Sequence, residues 1–77
     1  MEMISLNKVD KCWCALEKIQ GVDEAKHKRL IELGFVKGTK LEVIKNHFKQ
    51  GIVVIGIRGF TLCLDYALAE GVFVWKI

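Results

Sequence analysis

The stretch LIELGFVKGTKLEV, from Leu30 to Val43, interrupts itself twice, at Gly34 and Gly38. The overlapping segment EAKHKRLIEL (Glu24 to Leu33) places Leu30 and Leu33 on one face of a helix and Lys26, His27, Lys28 and Arg29 on the exposed side. Asp23 is a good N-cap, and Glu24 with Lys28 forms a supporting i,i+4 pair. Gly34 stands where this helix must stop, because glycine takes the left-handed conformation without a Cβ clash, and Phe35 is then expected to fold back onto Leu30. VKGT reads as a type II turn with Gly38 in its third position, which needs a positive φ. The two glycines act together: they stop a helix and reverse the chain into a strand.

Outward from this point the pattern is short strands. CWCALEKI (Cys12 to Ile19) alternates, with Cys12, Cys14 and Leu16 on one face. KLEVIKNH (Lys40 to His47), IVVIGI, FTLCL and VFVWKI follow, with a tight turn expected at Gly59. DYALAEG reads as one helical turn, capped by Asp65 and ended by Gly71. The chain has no proline, so glycine supplies the backbone punctuation. The reading is a mainly β fold: a small, strongly bent barrel of about five strands, with one helix after the first strand and a helical turn before the last.

A chain of 77 residues is one domain, 1–77, with a small core. Yet 52% of its residues are hydrophobic, more than such a core can hide, so exposed apolar surface is expected. GIVVIGI is apolar on both strand faces, and only one of them can point inward. A net charge of +3 is too small for a dedicated nucleic-acid binder. No segment approaches the roughly 18 apolar residues of a membrane span. MEMISLNKVDK reads as no signal peptide, and an odd number of cysteines, three, argues against a closed disulfide framework, so the expected location is cytoplasmic.

RLIELGFVKGTKLEVI followed by IVVIGIRGFTLCLDYALAEGVFV resembles the ferrous iron transport protein A (FeoA) family. The residues that carry the likeness are Arg29, Leu30, Leu33, Gly34, Gly38, Thr39, Arg58, Gly59, Ala67, Ala69, Val72 and Val74. Where the family often has proline before the second glycine, this chain has Lys37. The resemblance implies an SH3-like barrel and a cytoplasmic accessory role in ferrous iron uptake beside the membrane permease FeoB, whose GTP-binding domain faces the cytosol. The membrane would be met only through that permease. A related domain closes metal-dependent repressors of the diphtheria toxin repressor type, so an SH3-like regulatory or RNA-binding small barrel is the alternative.

No nucleophile motif, Gly-rich phosphate loop or helical carboxylate pair is present, so no enzyme and no cofactor are expected. Cys12, Cys14, Cys63, His27 and His47 are the candidate metal ligands. The Cys-x-Cys spacing is not that of a zinc knuckle, and free cysteine is commonly a small buried hydrophobe, so a core role is the stronger reading. The aromatics Phe60, Tyr66, Phe73 and Trp75 fall at positions that more often fill a core than stack bases, and no nucleic acid is expected. Contact with a protein partner accounts for the apolar excess. Lys26, Lys28, Arg29, Phe35 and Lys37 are the expected partner-binding residues, with Gly34, Gly38 and Gly59 as structural turns; weak homo-oligomerisation is also compatible with the apolar surface.

Overall fold

A computed structural model describes residues 3–77. Its strands are β1 (Met3–Ser5), β2 (Cys12–Ile19), β3 (Lys40–His47), β4 (Ile52–Ile57), β5 (Phe60–Asp65) and β6 (Val72–Lys76). Helix α1 (Glu24–Glu32) lies between β2 and β3, α2 (Tyr66–Glu70) lies between β5 and β6, and a 3-10 turn (Leu6–Lys8) follows β1. All pairings are antiparallel, and the sheet order is β1-β6-β2-β3-β4-β5.

Two features of the sequence reading are corrected. Among the described residues there are six strands rather than about five, the added one being β1, so α1 follows the second strand. The sheet is also not closed: β1 and β5 are its two ends and do not pair, so the molecule is an open SH3-like sheet rather than a true barrel. The sheet is nevertheless rolled. Six flat strands would form a slab about 24 Å wide and one side-chain layer thick. The molecule measures 27 × 26 × 25 Å, which only a curled sheet allows. Register shifts next to Glu17 in β2 and Ile44 in β3 supply the bends, since an extra residue in one strand increases local twist.

Curling encloses the alternating apolar residues of the strands. Leu16, Leu41, Val43, Val53, Ile55, Val72 and Val74 are buried together with Leu6 and Val9 from the N-terminal segment. Asn46, 1% exposed, is the polar fastener of that segment. Its backbone N–H donates to Asp10 Oδ1 at 2.8 Å, and its side-chain amide donates to the carbonyls of Asn7 and Val9, both at 2.9 Å. The Tyr66 hydroxyl donates to Asn46 Oδ1. A buried amide is tolerable because its donors and acceptor are occupied.

Candidate partner-binding surface

Helix α1 is fixed at both ends and almost free along its length. Asp23 Oδ1 accepts from the backbone N–H of Lys26 at 2.9 Å. At the far end, Gly34 N–H donates to the Ile31 carbonyl and Phe35 N–H to the Leu30 carbonyl, each at 3.0 Å. That pair of bonds is a Schellman motif, with Gly34 at φ 104° as its left-handed residue. Eight of the nine helical residues are exposed, and Leu30 alone is buried. The next turn follows at once: Thr39 N–H returns to the Val36 carbonyl at 3.0 Å, with Gly38 at φ 91°.

This geometry sorts the residues expected to meet a partner. Lys28 and Arg29 project from the exposed helix. Lys26 is exposed but lies 3.9 Å from Asp23. Lys37, on the turn, reaches Glu17 at 3.4 Å. The Trp75 indole, donating to Glu17 at 2.7 Å, is the main cause that holds the Glu17 carboxyl below its ordinary range, with Lys37 adding to it. Phe35 is a correction: it is 0% exposed, so it belongs to the core and no partner can touch it. The apolar groups that do face solvent here are Ile31 and Val36, 43% and 41% exposed.

Gly34 answers to a second neighbour that sequence reading did not supply. The Arg58 side chain lies against it, and a Cβ on Gly34 would collide with Arg58 Cδ. Arg58 and Gly59 both have positive φ, 49° and 83°, and form the two-residue turn joining β4 to β5. That combination is a type I′ hairpin turn, usually filled by Asn-Gly or Asp-Gly. Arginine pays conformationally for the position, and its side chain covers the end of α1, where a cation is favoured by the helix carbonyls.

Arg58 also borders a shallow cavity of about 290 Å³ on the outer sheet face, with Trp13, Ile44, Gly56 and Phe60 around it. Trp13 is 53% and Phe60 59% exposed, so Phe60 does not fill the core as its strand position suggested. Tyr66, Phe73 and Trp75 are half-buried. The signal for this cavity was Gly56: a lone glycine inside a strand often marks a place where something approaches closely.

The candidate metal ligands do not converge. Cys12 and Cys14 sulfurs are 3.6 Å apart on β2, but Cys63 is exposed on β5, His27 is exposed on α1, and His47 ends β3. Among the described residues, no group of three or more His, Cys, Asp or Glu could hold an ion. Burial first, then the Cys12 sulfur beside it, pushes the Cys14 thiol up to about 12 and so disfavours the thiolate a metal needs. All three cysteines are free, and no helix among the described residues is long and apolar enough to cross a membrane.

A single rolled antiparallel sheet with a helix protruding between its second and third strands defines a small SH3-like domain. Residues 14–76 match the family model described as the FeoA domain, and the chain belongs to the FeoA family. Solved structures agree on the fold. An iron uptake regulatory protein (FeoA) superposes with a TM-score of 0.85 at 19% identity, over 100% of both chains. The FeoA protein from Chlorobium tepidum gives 0.85 at 23% identity, over 96% of this chain and 70% of that one. A manganese-dependent transcriptional repressor in complex with manganese gives 0.89 at 17% identity, over 100% of this chain and 38% of that one. No curated protein matches the sequence at a significant level.

Proposed function

We propose that this domain is a non-enzymatic cytoplasmic accessory of ferrous iron uptake that docks on the cytosolic part of the permease FeoB through α1 and the turn after it. Family membership supports the pathway. The observation that carries the docking surface is α1 itself: eight of its nine residues are exposed although both its ends are fastened. A helix that buries one side chain adds little to the core, so its sequence is free to serve contact. Ile31 and Val36 would supply apolar area, and Lys28, Arg29 and Lys37 a basic rim, the usual division between affinity and encounter rate. The test is a pull-down of full-length permease by this domain, with and without GTP. Retention of the permease that is lost on Ile31→Asp with Val36→Asp, in a variant with an unchanged circular dichroism spectrum, is the expected result. Equal retention by that variant would remove this surface from the reading.

A further inference from the structure

The two ends of the open sheet differ. β1 is three residues long and runs directly into a 3-10 turn, which blunts it. β5 has six residues, Phe60 to Asp65, and its pairing with β4 contains no bulge. It also has no proline and no lysine, the devices that usually protect an edge.

The free backbone groups of β5 can be assigned. Ile57 and Phe60 close a two-residue turn, so they exchange hydrogen bonds, and bonded pairs then recur at every second residue. The Tyr66 N–H donating to the Gly51 carbonyl at 2.8 Å continues the same phase. Phe60, Leu62 and Leu64 therefore point their N–H and C=O groups at β4. Thr61, Cys63 and Asp65 point theirs away from it. The Asp65 C=O, as the N-cap carbonyl of α2, accepts the first bond of that helix, which leaves both backbone groups of Thr61 and Cys63 and the N–H of Asp65 without a backbone partner among the described residues beyond that edge.

This edge is complementary to itself. We propose that β5 pairs antiparallel with β5 of a second copy of this chain, about a two-fold axis at Cys63. Centred there, Cys63 faces Cys63, and Thr61 faces Asp65 of the other copy on both sides, so all three outward residues meet outward residues. On the outer face the Thr61 hydroxyl then stands opposite an Asp65 carboxylate. On the inner face the half-buried Leu62 stands opposite Leu64. No like charges oppose each other across the axis. Shifting the centre by one residue, to Leu62 or Leu64, would aim groups already bonded to β4 at one another. The pairing uses none of the side chains of the docking surface on α1.

Sedimentation of the reduced protein tests this directly. Wild type is expected to pass from monomer to dimer with concentration. In the dimer the amides of Thr61, Cys63 and Asp65 should become protected from hydrogen exchange. Cys63→Lys places two ammonium groups opposite each other at an exposed site, and should weaken association at least about tenfold with an unchanged circular dichroism spectrum. Bonded cross-strand pairs have Cα atoms about 5.5 Å apart, within disulfide range, so diamide should trap a covalent dimer that Cys63→Ser does not form. A wild-type monomer at millimolar concentration, association of Cys63→Lys as tight as wild type, or protection confined to other residues would each overturn the pairing.

Discussion

The two helices begin in the same way. Asp23 Oδ1 accepts from the N–H three residues on at 2.9 Å, and Asp65 Oδ1 does so at 2.8 Å. Their fates then diverge. α1 exposes all but Leu30, whereas α2 buries Ala69 completely and packs Tyr66 and Leu68 against the core. The body also holds α2 by its far end: Ser5 Oγ donates to the Glu70 carbonyl at 3.0 Å, and Gln20 N–H to the Gly71 carbonyl at 2.8 Å. Capping decides where each helix starts, and packing decides what it is for. α2 plugs the rolled sheet, and α1 is left available.

The largest effect expected from this contrast comes from one substitution made on both helices. Ala69→Asp puts a carboxylate at a fully buried position in the apolar core, and should cost about 3 kcal/mol or more. Ala25→Asp falls in the exposed first turn of α1, where a negative charge is tolerated or favoured, and should stay within about 0.5 kcal/mol. Urea unfolding measures both. Similar losses would mean that α1 is as much a part of the core as α2.

Gly34 comes next, because it joins the free helix to the body. Gly34→Val should cost at least about 2 kcal/mol, since a β-branched side chain is penalised at positive φ and would strike Arg58. Gly34→Ala should be milder. Its cost should fall by at least about 0.5 kcal/mol in an Arg58→Ala background if the collision matters, the sign of two sites in contact. Strict additivity would show that φ alone sets the requirement.

The caps should separate the helices at about 1 kcal/mol each. Asp65→Ala is expected to lower the global unfolding midpoint, because α2 is coupled to the core. Asp23→Ala should mainly speed hydrogen exchange within α1, as a locally fraying element does. A midpoint shift as large for Asp23→Ala as for Asp65→Ala would erase the distinction.

Much of this was written locally in the chain. The stop at Gly34, the turn at Gly38 and both aspartate caps depend on neighbours within a few residues, so residue chemistry alone reached them. β1 was missed because three residues carry no usable period, and the segment is held by bonds from Asn46 to Asn7 and Val9, far away in sequence. Phe35 followed an ambiguous signal: an apolar residue after a helix stop can turn inward or outward, and only the assembled core decides. Arg58 was legible as part of a motif but not as a cover for Gly34, because that contact needs the hairpin and the helix end brought together. Trp13, Ile44 and Phe60 were lost among the many apolar residues of strands, where burial depends on sheet curvature that the bulges set.

The smallest effect expected on stability is the one that bears most directly on the proposed docking. Lys28 and Arg29 lie on the exposed side of α1, and no ion pair is assigned to either among the described residues. Reversing both to Glu should leave the unfolding midpoint within about 0.5 kcal/mol of wild type, as surface changes away from special contacts usually do. If α1 is the docking element, the same variant should bind the permease more slowly. Its association rate should fall while dissociation changes little, because charges at an interface rim act chiefly on encounter. Added salt should narrow the gap between variant and wild type, since it screens exposed charges beyond about 8–10 Å. Iron uptake by cells carrying the variant should fall as well. A folded variant that binds at the wild-type rate at low salt and supports full uptake would leave these charges with solubility as their role. The exposure of α1 would then have to be explained by something other than docking.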